Sequence, residues 1–179
     1  MAKEKQTVIH FIGHDNSGKS SIAKALSHEL RIPYFCNPHN AQYHSGNNNI
    51  SYLHAEGLLE FHLLSECGFS LIRDRNYICE IVYSAMYNRE TDIEFIHSLH
   101  KAYCTFPNFS IIYCYKEQFR EKFEDEYVKE EEIFGLKALY GAAIKLLPHQ
   151  EKVLWLDTTN EDLGHQIKTI KEFIKWDNQ

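Results

Sequence analysis

The sequence predicts an α/β fold in which a mainly parallel, five-stranded sheet carries helices on both faces. Runs rich in β-branched and aromatic residues alternate five times with stretches whose apolar residues recur every three or four positions. The run at 109–115 is the most continuous of the β-rich ones, which is typical of a central parallel strand. The chain has 179 residues and no internal repeat, so we expect a single domain over 1–179.

Each predicted element rests on a local pattern and a local stop signal. The predicted strands are short β-rich runs at 7–12, 34–36, 69–72, 109–115 and 153–156. The predicted helices share apolar residues at helical spacing and cover a stretch with Ile22, Leu26 and Leu30, then 52–66, 80–87, 92–103, a stretch ending at Leu147, and one with Leu163, Ile167, Ile170 and Ile174. Pro33, Gly68 and Pro148 end three of these helices. Residues 37–51 are polar and turn-rich, so a loop is predicted there.

The composition disfavours several classes of protein. No apolar run approaches the roughly 20 residues that cross a bilayer, so no membrane span is predicted. The first residues lead directly into a strand-like run without the apolar stretch of a secretory signal, so we expect an intracellular, cytoplasmic protein. A formal net charge of −6 disfavours broad binding to nucleic acid, which relies on many Lys and Arg contacts to phosphate. A small local basic site remains compatible with that charge.

The cysteines and histidines do not form a metal-binding pattern. The five cysteines are odd in number and never occur as a C-x-x-C pair, which favours free, buried thiols over disulfides or zinc ligands. His97 and His100 lie in a helix-like stretch without a neighbouring Cys or an H-E-x-x-H pattern. We therefore expect ordinary surface or packing histidines.

Residues 13–20 match the spacing of a phosphate-binding loop, G-x-x-x-x-G-K-S. Glycines let the backbone curl so that its N–H groups and the start of the next helix face an anion. Lys19 would reach the β- and γ-phosphates of ATP, and Ser20 would bind Mg²⁺. A glycine turn that merely contains Lys-Ser is the alternative, but the motif follows a strand and opens a helix, as phosphate binding requires. The predicted ATP-binding residues are Gly13, Asn16, Ser17, Gly18, Lys19, Ser20 and Ser21.

A second charged element, Asp74-Arg75, follows the strand predicted at 69–72. A carboxylate at this edge of a parallel sheet would meet Mg²⁺ or the acceptor hydroxyl, and Arg75 would lie beside it. The alternative is a solvated Arg-Asp-Arg turn. The sequence has no N-K-x-D run after a strand, which disfavours a GTPase. Lys19, Asp74 and Arg75 are the predicted catalytic residues, with Ser20 and Asp74 as metal ligands.

These two segments resemble the thymidylate kinase and deoxynucleoside kinase branch of the P-loop nucleotide kinases. Residues 13–20 are similar to the family form GxDGSGKS, and residues 74–77 are similar to its DRY segment. The resemblance implies a three-layer P-loop kinase fold. It also implies that Asp15 contacts the 3′-hydroxyl of the acceptor sugar, that Arg75 clamps the acceptor phosphate, and that Asp74 organises Mg²⁺ or acts as a base. Residues 153–159 are similar to the strand and loop on which such kinases rest adenine.

The family's LID, a basic segment that closes over ATP, corresponds to residues 116–132, which contain eight acidic and four basic residues. Asn16 stands where some thymidylate kinases carry a catalytic Arg, so the missing positive charge is expected from the LID. Among Arg120, Lys122 and Lys129 we favour Arg120, because a guanidinium can bridge two phosphate oxygens. A solvated charged helix face is the alternative.

The acceptor site also departs from the family. Thymidylate kinases usually carry an Arg soon after the second strand, yet residues 32–72 contain neither Lys nor Arg. Either His39 or His44 takes its place, or the acceptor lacks that phosphate. Phe61 lies on the helix that lines the base pocket in this family, so the resemblance implies stacking on a base; a core role is the alternative.

Three functions follow. The leading hypothesis is a kinase that uses ATP and Mg²⁺ to phosphorylate a pyrimidine deoxynucleoside monophosphate. The second hypothesis changes the acceptor to a free deoxynucleoside or to the hydroxyl of a modified base, including one within DNA. The absence of an Arg after the second strand favours this hypothesis, whereas the net negative charge disfavours DNA as the acceptor. The third is a non-catalytic nucleotide-binding module, which the acidic LID segment permits. The sequence leaves the base and the oligomeric state open, a homodimer included.

Overall fold

The fold is built on a five-stranded sheet whose strand pairs are all parallel, in the order β2-β3-β1-β4-β5. The computed structural model describes residues 6–36, 49–118 and 130–176. The strands are β1 (Thr7–Ile12), β2 (Tyr34–Cys36), β3 (Leu71–Asp74), β4 (Asn108–Tyr115) and β5 (Val153–Asp157). The predicted α/β fold and the five predicted strands are confirmed.

Helices cover both faces of this sheet. They are α1 (Lys19–Leu30), α2 (Asn49–Cys67), α3 (Tyr77–Met86), α4 (Ile93–Tyr103), α5 (Glu130–Lys145) and α6 (Leu163–Phe173). Apolar residues of α1 and α6 form one buried core with the sheet, and those of α2, α3, α4 and α5 form a second core on the other face. The predicted three-layer arrangement is therefore present.

The strand order decides where a ligand can bind. The chain leaves central β1 with β3 on one side and β4 on the other, and Phe11 lies beside Asp74 in the β1–β3 register. In open parallel sheets, ligands bind outside the carboxyl ends of the strands at such a switch point. The phosphate loop and Asp74-Arg75 consequently meet at one edge.

Several predicted boundaries differ from the structure, and three of the differences have a local cause or bear on the predicted loop. Strand β3 continues to Asp74 instead of ending at 72, because Arg73 is buried in ion pairs with Glu56 and Glu60 of α2. Helix α3 begins at Tyr77 instead of 80, because the side chain of Asn76 accepts a hydrogen bond from the Ile78 N–H at 2.9 Å and caps it. Helix α2 begins at Asn49, inside the loop predicted for 37–51, and residues 37–48 lie outside the described ranges.

All five cysteines are free, as predicted, but they are not all buried. Cys79 and Cys114 lie in the cores, whereas Cys104 is half-buried and Cys36 and Cys67 are exposed. Cys36 ends the edge strand β2, and Cys67 is the last residue of α2. The expectation of buried thiols is wrong for these two, because both lie at element ends that no other described element covers.

Within the described residues, no helix has both the length and the apolar character needed to cross a membrane.

His100 is a packing histidine. Its ring is buried on α4, where Nδ1 accepts a hydrogen bond from the Tyr77 hydroxyl at 2.9 Å and Nε2 donates to the Pro148 carbonyl at 3.0 Å. Burial lowers the pKa of His100 to about 4. The neutral ring is therefore the form that the fold accommodates.

We predict that the free energy of unfolding falls as the pH is lowered from about 7.5 to about 4.5. The unfolded chain binds a proton at His100 near pH ~6.5, whereas the folded chain binds it only near about 4. The stabilisation is thus complete above the unfolded pKa and is lost on acidification, by on the order of 2 kcal/mol from this residue.

Urea denaturation of the wild type and His100→Asn across this pH range measures the effect. The variant should be less stable near neutral pH but should lose less stability on acidification. Parallel pH dependences for the two proteins would contradict the prediction.

Candidate active site

The phosphate loop lies against β4. Gly13 has φ of 145°, and a Cβ built on it would overlap the carbonyl oxygen of Cys114. Gly18 has φ of 78° and Asn16 has φ of 59°, so two further residues use the left-handed region. Only glycine satisfies both the space and the backbone at position 13, which explains the first fixed residue of the motif.

Hydrogen bonds from three directions hold the loop. The Tyr140 hydroxyl donates to the Gly13 carbonyl at 3.2 Å, and the Thr158 hydroxyl donates to the Ser17 carbonyl at 2.7 Å. The buried ring of His14 donates from Nδ1 to the Asp15 carbonyl at 2.6 Å, so its Nε2 accepts the Lys116 N–H at 3.4 Å. Burial lowers the pKa of His14, consistent with a neutral ring. The loop is thereby fixed to α5, β4 and the segment after β5.

Lys19 is buried at the first position of α1. Its Nζ donates to the His14 carbonyl at 3.2 Å and lies 3.7 Å from Oδ1 of Asp15. Burial lowers the pKa of Lys19, while the charges of Asp15 and Asp74 act in the opposite sense. Lys19 therefore lies within electrostatic range of both acidic residues that the sequence placed at the site.

The residues present fit a triphosphate with Mg²⁺. Oγ of Ser17 and Oδ1 of Asp74 are buried and have no hydrogen-bond partner among the described residues. Such atoms are costly unless a ligand or water completes them. The residue before α1 is Gly18, which has no side chain to cap the helix, so the N–H groups at the start of α1 add donors for an anion. Ser20 follows Lys19 in the same turn, so it and Asp74 are the residues that could hold the metal.

Three side chains form a hydrogen-bonded cluster next to the phosphate loop. Arg75 forms an ion pair with Asp15 through Nη2 and donates from Nη1 to the Tyr83 hydroxyl at 3.1 Å. The Tyr83 hydroxyl donates in turn to Oδ2 of Asp15 at 3.0 Å. The predicted acceptor residues Asp15 and Arg75 are thus in contact, although they are 60 positions apart.

The backbone holds Arg75 in an uncommon conformation. Its φ is 68°, its N–H donates to the Phe11 carbonyl at 2.8 Å, and its carbonyl accepts from Nε of Arg73 at 2.9 Å. A left-handed non-glycine residue persists only where its surroundings fix it, and such residues are frequent at functional sites. Here the Phe11 carbonyl and the Arg73 side chain, which bond to the N–H and the carbonyl of Arg75, supply that restraint.

Sequence reasoning missed Tyr83 and Tyr34. Tyr83 completes the cluster with Asp15, and burial raises its pKa, so its hydroxyl stays a neutral donor. The hydroxyl of Tyr34 donates to Oδ2 of Asp74 at 2.9 Å. The one signal available was the position of Tyr83 within the helix predicted for 80–87; nothing in the local sequence pairs Tyr34 with Asp74.

The structure does not bring Phe61 to the phosphate loop. Its ring packs on Tyr103 and Phe106, with centroid distances of 5.6 and 5.4 Å. Phe106 precedes β4, at the edge of the sheet where strands begin, opposite the loop. This placement supports the core role that the sequence left as the alternative.

Several predicted residues lie outside the described ranges. Arg120, Lys122 and Lys129 of the predicted LID, and the acceptor candidates His39 and His44, are among residues 37–48 and 119–129. The described start of the LID segment is held by ion pairs: Lys116 contacts Glu161, and Glu117 contacts Lys137 at 2.5 Å. The roles of these five residues stay predictions.

Solved structures with this fold include nucleotide kinases. The chain is similar to the YorR protein from Bacillus subtilis, solved in complex with phosphorylated GDP, with a TM-score of 0.66 and 21% identity over 95% of this chain and 96% of that one. It is also similar to thymidylate kinases from Ehrlichia chaffeensis (TM-score 0.59, 15% identity, covering 96% of this chain and 100% of that one) and Candida albicans (0.54, 14%, 96% and 92%).

At these identities the likeness shows the fold, which is that of P-loop kinases. The P-loop kinase fold that the resemblance implied is confirmed. No protein-family model matches the sequence, and no curated protein matches it.

We predict that Gly13→Ala destabilises the protein by at least about 2 kcal/mol, because the added methyl overlaps the Cys114 carbonyl and the backbone is left strained. Gly135→Ala is the matched control. Gly135 lies within α5, and its Cβ would meet nothing within 4 Å, so this change should stabilise by about 0.5–1 kcal/mol. Chemical denaturation measures both, and equal stabilities for the two variants would refute the close approach at Gly13.

Proposed function

We propose that this protein is a kinase that uses ATP and Mg²⁺ to phosphorylate a pyrimidine deoxynucleoside monophosphate. The observation that carries the proposal is the convergence of Lys19, Asp15 and Arg75 beside an anion-binding loop. One cation serves the donor phosphates, the other serves the acceptor, and the carboxylate lies between them. The kinase fold of the similar structures supports this assignment.

At the donor end, the loop N–H groups and Lys19 would bind the β- and γ-phosphates. Ser20 and Asp74 would hold the metal, which supplies neutralisation of the charge that develops on the phosphates. Lys19 already faces the loop from inside, because its Nζ donates to the His14 carbonyl. A triphosphate oxygen would replace that carbonyl as the partner of the ammonium.

At the acceptor end, Arg75 would exchange its bond to Asp15 for the acceptor phosphate, and Asp15 would then accept the sugar hydroxyl. Tyr83 contacts both residues and would keep their spacing during this exchange. An acceptor phosphate oxygen forms the new bond to the γ-phosphorus while the bond to the β,γ-bridging oxygen breaks, which leaves ADP. Positioning and charge neutralisation supply the catalysis.

Two further parts of the chain would complete the donor site. Arg120 would supply the LID charge that Asn16 does not, and residues 153–159 would support the adenine. Thr158 of that segment donates to the Ser17 carbonyl, which joins the proposed adenine support to the phosphate loop. A small-molecule acceptor agrees with the net charge of −6, which disfavours broad binding to nucleic acid, and we propose a cytoplasmic location.

A free deoxynucleoside, or a modified-base hydroxyl, is the second candidate acceptor. The observation that favours it is the state of Arg73, which is 5% exposed and paired with Glu56 and Glu60. The two glutamates neutralise the charge of Arg73, so this arginine is not available to bind an acceptor phosphate. The stretch 32–72 contains no Lys or Arg that could replace it. Arg75 would then be the one cation among the described residues that we assign to the acceptor.

Lys19→Ala should reduce phosphate transfer from labelled ATP by at least about a hundredfold, because the developing charge loses its buried cation. The acceptor panel contains nucleosides, deoxynucleoside monophosphates and DNA with modified bases. Lys168→Ala, which removes an exposed lysine on α6, should transfer like the wild type. Tight ATP binding by the wild type without transfer to any acceptor would instead favour the non-catalytic module.

Arg75→Ala should raise the acceptor KM or lower kcat by at least about tenfold with a monophosphate, because a charge-assisted pair to phosphate is lost. The effect should be smaller with the corresponding nucleoside. Arg89→Ala is the control, since Arg89 pairs with Glu80 at 3.6 Å and stacks on Tyr87. Unchanged KM and kcat in Arg75→Ala would remove the phosphate-clamp role.

A further inference from the structure

We infer that Tyr34 is a positioning residue for Asp74: its hydroxyl fixes one carboxylate oxygen and thereby leaves the other directed to the metal that accompanies ATP. This inference rests on the proposed function, in which Asp74 and Ser20 hold Mg²⁺. It adds Tyr34, a residue of the edge strand β2, to the proposed donor site. Tyr34 belongs to neither of the two sequence motifs, residues 13–20 and 74–77.

The two oxygens of Asp74 have different surroundings. Oδ2 accepts the Tyr34 hydroxyl at 2.9 Å, whereas Oδ1 is buried and has no hydrogen-bond partner among the described residues. The whole side chain is 1% exposed, so bulk water does not solvate that second oxygen. A buried polar oxygen without a partner is costly unless a donor or a cation completes it. A divalent cation next to the phosphate loop would do so.

The strand register explains how Tyr34 reaches Asp74. Tyr34 lies beside Ile72 and Cys36 lies beside Asp74 in the parallel pair β2–β3. Because side chains two apart share a face of a strand, Tyr34 is one pleat below Asp74 on the α1 face, and its long ring brings the hydroxyl up to the carboxylate. Oδ2 is thus held from below, on the side away from the carboxyl end of β3.

The ring of Tyr34 is itself held from α1. Nζ of Lys24 lies 5.7 Å from the ring centroid, and the segment before β2 is fixed by the Ser27 hydroxyl, which donates to the Ile32 carbonyl at 2.6 Å. Helix α1 also carries Ser20, the second proposed metal ligand. Tyr34 therefore braces Asp74 against the helix that presents Ser20, which fixes the separation of the two ligands.

Removing only the hydroxyl should loosen this brace. Hydrogen-bond partners of metal ligands typically change metal affinity by about 10–100-fold when they are removed. We expect Tyr34→Phe to weaken Mn²⁺ binding to the protein–ADP complex by roughly tenfold, measured by electron paramagnetic resonance of free Mn²⁺. The Mg²⁺ concentration for half-maximal transfer should rise by a similar factor. Binding of ADP without metal, measured by calorimetry, should stay within about twofold, because Tyr34 does not touch the phosphate loop.

Tyr113→Phe is the matched control. The Tyr113 hydroxyl is buried and has no hydrogen-bond partner among the described residues, so the same chemical change there breaks no described bond. This variant should bind Mn²⁺ like the wild type. Equal melting temperatures of Tyr34→Phe and wild type would show that the effect on the metal is not a loss of fold.

Asp74→Asn separates this inference from the proposed function. Weaker Mn²⁺ binding in both Asp74→Asn and Tyr34→Phe supports the positioning role. Weaker binding in Asp74→Asn alone overturns the role of Tyr34 and leaves the metal ligand in place. Unchanged binding in Asp74→Asn overturns the metal role of Asp74 and, with it, this inference, whereas absence of ATP binding by the wild type would overturn the proposed function itself.

Discussion

The backbone of Gly13 crosses the end of β4 so closely that a side chain at this position would overlap the Cys114 carbonyl. The phosphate loop therefore lies directly against the carboxyl ends of β1 and β4. From there His14 reaches the Lys116 N–H just beyond β4, and Asp15 reaches Arg75 just beyond β3. The close approach at Gly13, together with the hydrogen bonds from Tyr140 and Thr158, sets the position of the loop and of the charged groups it carries.

The charges gathered around this loop support the proposal that it binds phosphates. Lys19 and Arg75 are both largely buried and share one carboxylate, Asp15. Buried charges are stable only when they are paired, so the resting site satisfies its cations internally. A phosphorylated ligand must replace those internal pairs, and phosphate oxygens do so without loss of charge compensation.

The phosphate loop and the strands could be predicted because each depends on local spacing. The glycines and Lys19 have fixed separations, and the β-rich runs are contiguous. Tyr34 and Tyr83 could not be predicted, because their contacts with Asp74 and Asp15 span 40 and 68 positions and arise only when β2, β3 and β1 adopt their order. The exposure of Cys36 was missed for the same reason: a thiol is buried or not according to whether its strand lies at the edge.

The sheet also buries polar residues, His10 of β1 and Arg73 of β3 among them. His10 accepts from Asn76 at 3.1 Å and lies 3.4 Å from Glu60, which also pairs with Arg73. Buried ion pairs contribute little net stability, but they specify one arrangement of the groups that form them. Arg73 extends this specification to the active site, because its Nε holds the carbonyl of Arg75 in the left-handed conformation. The placement of α2 through its glutamates and the backbone of Arg75 are consequently linked through Arg73, so a displacement of α2 would disturb the residue that carries the proposed acceptor clamp.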